Sequence, residues 1–134
     1  MTQTFQEIEH TADRAFTARG RDMRDLFVHA AQAMFGLQPL TAHGGQPVKR
    51  NVEVTATDRE ALLVNWLNEL LYLSETLQEQ YDRFEILELS NEHIRARLRG
   101  AQLSSTLPVK AVTFHNLAIR QEGGQWVATL VVDV

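Results

Sequence analysis

The sequence predicts an α+β domain. Three observations predict it: two segments carry apolar residues at helical spacing, several shorter ones alternate with a period of two, and a Gly-Gly pair closes a hairpin near the end. With 134 residues the chain can bury one hydrophobic core and is too short for two ordinary ones, so residues 1–134 read as a single domain.

Phe5 to Glu9 alternates, and His10-Thr11-Ala12-Asp13 leads into a second alternating piece, Ala15 to Arg19, closed by Gly20. This reads as one strand with a kink or short connection at its middle. Asp22 is an N-cap, and Leu26, Phe27, Ala30, Ala31, Met34 and Phe35 fall three and four apart, with Gly36 placed as a C′ glycine. At that spacing Met34 and Phe35 are core residues rather than a partner-binding stripe. Leu37 to Pro47, with two prolines and Gly44-Gly45, is a connecting loop. Val48 to Thr57 is a half-solvated strand with Val52, Val54 and Ala56 on one face.

Thr57 followed by Glu60 makes a capping box, and Leu62, Leu63, Trp66, Leu67, Leu70, Leu71 and Leu77 continue with helical period to about Glu79. Glu69 then sits at the edge of the buried stripe, paired with Asn65 or Asn68, and is not a catalytic residue. Arg83 to Leu89, a turn at Asn91 and His93 to Arg99 form a hairpin, with Ile94, Ala96 and Leu98 inward. Arg95, Arg97 and Arg99 form the one basic cluster, a solvated face opposite Glu85 or Glu88 rather than an RNA track.

The last 25 residues, Lys110 to Val134, read as two strands joined by Gly123-Gly124, which supply the positive φ that a two-residue turn needs. Val127, Ala128, Leu130, Val131 and Val132 make the final strand a nearly continuous apolar run, which marks a central strand. It stops in Asp133 and the α-carboxylate of Val134. Two anions at the end of a buried strand require water or a cation, and on these residues alone a frayed, solvated terminus is the plainer reading. With Glu122 opposite Gln125, Asp133 falls opposite Phe114. Lys110 then lies about three residues, roughly 10 Å, beyond the position opposite Val134.

If the first strand neighbours the last, Asp13 and Asp133 converge with the terminus into an all-oxygen site suited to Ca²⁺, Mg²⁺ or Mn²⁺. Zinc would require imidazoles. His10 and His115 could supply them, although a lone strand histidine is more often structural. The chain has no cysteine, which removes disulfides and thiolate sites and fits a cytoplasmic protein. A formal charge of −4, with both signs interleaved, disfavours direct, tight nucleic-acid binding. No run reaches membrane-spanning length, and the start lacks a signal-peptide pattern. There is no glycine-rich phosphate loop, His-Glu-x-x-His helix or Gly-x-Ser-x-Gly elbow.

Five blocks carry a resemblance: Glu9-His10-Thr11-Ala12-Asp13; Leu26-Phe27 with Ala30-Ala31-Gln32-Ala33-Met34-Phe35; Trp66-Leu67-Asn68-Glu69-Leu70-Leu71-Tyr72; Lys110-Ala111-Val112-Thr113-Phe114-His115; and Val132-Asp133-Val134. In this order, across nearly the whole chain, they resemble the archease family. The resemblance implies two main helices packed on a mostly antiparallel sheet. It also implies a metal-binding, non-catalytic protein cofactor of the RtcB-type RNA ligase, which promotes the ligase's guanylylation and repeated turnover in tRNA splicing and RNA repair. By the same resemblance Asp13, Asp133 and the Val134 carboxylate hold the divalent metal, and Lys110 activates the partner. Phe114, where the family often has tyrosine, and Arg14-Ala15, where a more apolar pair is usual, depart from its pattern. From another class, a divalent-metal-dependent phosphohydrolase would use the same carboxylates; an adaptor whose metal is incidental is a third reading.

Overall fold

The fold is taken from a computed structural model that describes residues 7–9, 13–37, 45–103, 111–113 and 117–133, with backbone alone for 7–9, 13 and 14. Among these residues two helices and eight strands follow in the order β1 (Glu7–Glu9), β2 (Asp13–Gly20), α1 (Met23–Gly36), β3 (Pro47–Thr55), α2 (Arg59–Leu77), β4 (Glu79–Leu89), β5 (His93–Gln102), β6 (Ala111–Thr113), β7 (Ile119–Glu122) and β8 (Gln125–Asp133). All strand pairs are antiparallel. They form two sheets: a five-stranded one in the order β1-β2-β8-β6, with β7 also on β8, and a three-stranded one in the order β3-β5-β4. The helices touch each other and both sheets, so the class is α+β as predicted.

The first alternating segment is a hairpin, not a kinked strand: Glu7 pairs with Phe16 and Glu9 with Arg14. The chain therefore reverses between Glu9 and Asp13, and the two alternating runs lie side by side. β2 ends at Gly20, where a Cβ would stand 2.3 Å from the backbone nitrogen of Leu26, so only glycine lets α1 start this close to the strand. Asp22 caps α1 by accepting the Asp25 backbone N–H at 2.8 Å. Gly36 stays inside the helix and Leu37 is the C-cap in ordinary αR conformation, so the expected C′ glycine is absent.

The second helix starts one residue later than the capping box implied. Asp58, not Thr57, is the N-cap and accepts the Ala61 N–H at 2.7 Å; its carboxylate makes the same bond as a hydroxyl and adds negative charge at the positive end of the helix. The helix ends at Leu77, which is 39% exposed rather than core, because Gln78 turns left-handed at φ 55°. Trp66, fully buried, donates its indole N–H to the Phe27 carbonyl at 3.1 Å and ties the helices together. Leu26, Phe27, Met34, Leu62, Leu63, Leu67 and Leu70 share one core with Phe16, Ile94, Leu98 and Leu130.

β4 begins at Glu79, earlier than the alternation suggested, because Glu79 is a buried acid that hydropathy places in a loop. Arg50 reaches both of its oxygens, at 3.0 and 2.5 Å, and the Tyr81 hydroxyl donates to it at 2.8 Å. The Arg50 guanidinium, helped by Tyr81, holds the Glu79 carboxyl below its usual range in spite of burial. Burial and the Glu79 charge push the Tyr81 phenol upward. A register shift between Ile86 and Glu88 then puts Glu85 and Glu88 on the same outer face, where they pair with Arg97 at 3.1 Å and Arg95 at 2.8 Å, as expected of a solvated face. β5 runs three residues past Arg99, to Gln102.

Candidate functional site

β8 is central: β2 lies on one side, and β7 and then β6 lie along the other. Phe16 and Ala18 on β2, with Ala128, Leu130 and Val132 on β8, point into the core, and Val127 on the opposite face is also fully buried. The apolar run therefore has the two-sided burial that its composition implied. The Gly123-Gly124 turn has φ of 56° and 81°, and Glu122 pairs with Gln125.

β2 meets β8 in an unbroken register of eight pairs that ends on Asp13 opposite Asp133. Asp133 shares the parity of Thr129, whose hydroxyl bonds that of Thr17 at 3.1 Å, on the side of the sheet away from the core. The Asp133 side chain is exposed. Directly opposed residues of an antiparallel ladder share one face, their Cβ atoms about 5 Å apart, and like charges so placed repel. The register thus sets two acidic residues opposite one another where β2 begins and β8 ends.

The penultimate strand corrects the expected register. β7 keeps the hairpin pairing, but in β6 it is Ala111, not Phe114, that lies opposite Asp133, with Val112 opposite Val132. Five residues separate Thr113 from Ile119 in sequence, whereas only Thr129 and Leu130 separate their partners on β8, so the two registers differ by three. That difference cancels the three-residue offset that separated Lys110 from the chain end. Ala111, the chain neighbour of Lys110, is consequently paired with Asp133, the chain neighbour of Val134. Lys110, Val134, His10 and His115 themselves lie outside the described residues. Among the described residues no three carboxylates or imidazoles cluster as a metal cage.

Asn68 on α2 is the residue that hydropathy reading missed. Its amide donates to the Val112 carbonyl at 2.9 Å and accepts the Val112 N–H at 2.7 Å, so it occupies the free backbone edge of β6 as a further strand would. Asn65 donates to the Thr55 carbonyl at 3.1 Å, so neither asparagine serves Glu69 as expected. The available signal was the residue type: asparagine is a poor helix former whose amide competes for backbone bonds, and two of them in mid-helix mark places where that amide is used. Asn68 fixes the strand that delivers Ala111 to Asp133.

Comparison with known proteins agrees with this arrangement. Residues 5–134 match the model of the Archease protein family. The chain is 34% identical to Protein archease of Methanosarcina mazei, covering 97% of this chain and 95% of that one. It is 36% identical to Protein archease of Methanopyrus kandleri, covering 97% and 99%. The solution structure of protein 1598 of Methanobacterium thermoautotrophicum superposes with a TM-score of 0.76 at 32% identity, over 98% of this chain and 99% of that one. A Thermotoga maritima crystal structure described as an archease and possible chaperone shares the fold, with a TM-score of 0.70 at 17% identity over the full length of both. Among the described residues no helix is long and apolar enough to cross a membrane. On the family match and these full-length relatives, the chain belongs to the archease family.

Proposed function

We propose that this chain is a metal-binding protein cofactor, not itself a catalyst, that activates an RtcB-type RNA ligase by promoting its guanylylation and repeated turnover in tRNA splicing and RNA repair. Family membership supports the reading. The observation that carries it is the cross-strand pairing of Asp13 with Asp133. Two like charges on neighbouring strands weaken the ladder unless a cation stands against them, and carboxylate oxygens suit Ca²⁺, Mg²⁺ or Mn²⁺. The donor set therefore fits a hard divalent ion held by Asp13, Asp133 and the Val134 carboxylate. Such an ion supplies positive charge for a triphosphate at the ligase's nucleotide site.

The protein's own residues do the rest. The β2–β8 register holds the two aspartates together, Asn68 holds β6 against the same end of β8, and β6 continues from Lys110, whose ammonium supplies a second positive charge. The test is ligase turnover at fixed GTP and metal. Asp133→Ala and Lys110→Ala are expected to keep the fold and to return the ligase to its unassisted rate; full stimulation by either variant would sink the reading. Phosphate release from GTP and Mn²⁺ by the pure chain would point instead to a phosphohydrolase.

A further inference from the structure

Three rows of side chains on the outer face of the three-stranded sheet carry arginine, and among the described residues only one of them has no ion pair. Glu53, Arg95 and Glu88 form one row, where Arg95 pairs with Glu88 at 2.8 Å and His93 pairs with Glu53 at 2.6 Å. Asn51, Arg97 and Glu85 form the next, with Arg97 paired to Glu85 at 3.1 Å. The third is Lys49, Arg99 and Arg83, three cations directly opposite one another across β3, β5 and β4. All three are exposed, and among the described residues none has a carboxylate within ion-pair distance, although exposed Asp82 sits in the bulge beside Arg83. Next to the row lies an open depression of about 340 Å³ lined by Arg83, Phe84, Glu85, Arg97 and Arg99.

Directly opposed like charges cost stability, and a neighbouring row shows that this sheet compensates its arginines where the fold alone is served. From this juxtaposition we infer that the Lys49–Arg99–Arg83 row is a docking surface for an acidic loop or helix turn of a protein partner. The footprint selects that occupant. At strand spacing the row spans only about 10 Å, room for two or three carboxylates, and the forks of Arg83 and Arg99 grip carboxylates bidentately. A nucleic-acid backbone following the strands would meet Glu85 about 7 Å further on and then Glu53 and Glu88. One crossing the strands would find only three cations, too few for tight phosphate binding.

The identity of the partner rests on the ligase reading above, so the experiment separates the two. Complex formation between this chain and an RtcB-type ligase is measured by calorimetry at low and high salt, beside ligase turnover. Each variant is compared with the wild type. A triple variant, Lys49→Glu with Arg83→Glu and Arg99→Glu, is expected to bind at least about tenfold more weakly at low salt, with the difference shrinking as salt screens it. The corresponding triple glutamine variant, which removes the repulsion and so keeps the fold, is expected to fall between them. Wild-type binding by both triple variants overturns the docking surface and leaves the ligase reading standing. Loss of affinity for a labelled single-stranded RNA, with ligase binding unchanged, overturns it in favour of nucleic acid. Absence of any wild-type complex and of any stimulation overturns both.

Discussion

Glu79 and Asp133 are carboxylates at opposite ends of long strands, and the chain treats them in opposite ways. Glu79, 1% exposed, opens β4 and is answered from within: Arg50 takes both oxygens and Tyr81 adds a third bond. Asp133 is exposed at the end of β8, and the residue across the ladder is another aspartate. A buried charge must be neutralised by the fold that buries it, whereas an exposed carboxylate can persist beside a like charge because water screens it. Internal pairing therefore marks Glu79 as structural, and on the function proposed above the metal would take that part at Asp133. Each contrast can be broken by substitution.

The largest effect is expected at Arg50→Met. It removes the guanidinium and keeps the stem, leaving the buried Glu79 carboxylate with Tyr81 alone, so the loss at neutral pH should exceed that of any other substitution considered below. The pH dependence fixes its origin. Glu79 titrates below its ordinary value in the folded protein, so its contribution is present above the unfolded-state value of about 4.3 and is lost as pH falls through the folded one. The gap between wild type and variant in urea midpoint should be widest near neutrality and narrow in acid. A gap that stays constant with pH would assign the loss to packing instead of charge.

A smaller effect is expected at Asn68→Ala, which strips two bonds from Val112 and should cost about 1–2 kcal/mol. Because the amide serves β6 rather than the helix core, amide exchange at Val112 should rise well before that of Val132, its neighbour across the ladder. Equal protection of Val112 in variant and wild type would show that the asparagine does not hold the strand.

How much of this could be read from sequence follows from the range of the forces involved. The helices, the Gly123-Gly124 turn and the inward set Ile94, Ala96 and Leu98 were legible because each is written in residues a few positions apart. The Glu79 cluster was not, since Arg50 stands 29 residues away and its partner looks like loop composition. Nor was the β6 register, because the three additional residues between Thr113 and Ile119 leave no mark in alternation and show only against β8. The acidic pair lies between these cases. Asp133 at the end of an apolar strand was visible, and Asp13 followed once the first strand was placed beside the last, but the exact register needed the ladder.

The smallest effect sharpens the comparison most. Asp133→Asn keeps shape and backbone bonding and removes one of two opposed charges, so in the presence of chelator it should raise stability by a few tenths of a kcal/mol, a gain that salt diminishes. Arg50→Met lowers stability whether or not metal is present; Asp133→Asn should differ between the two conditions. On the proposed metal site, a saturating divalent ion should stabilise the wild type by binding its folded state, and the variant, with a weaker donor set, should gain less, so that their order reverses. Thermal melts of both proteins with and without Ca²⁺ or Mn²⁺ measure this directly. If Asp133→Asn is less stable than wild type in chelator, the two aspartates do not repel, and the carboxylate serves the fold as Glu79 does.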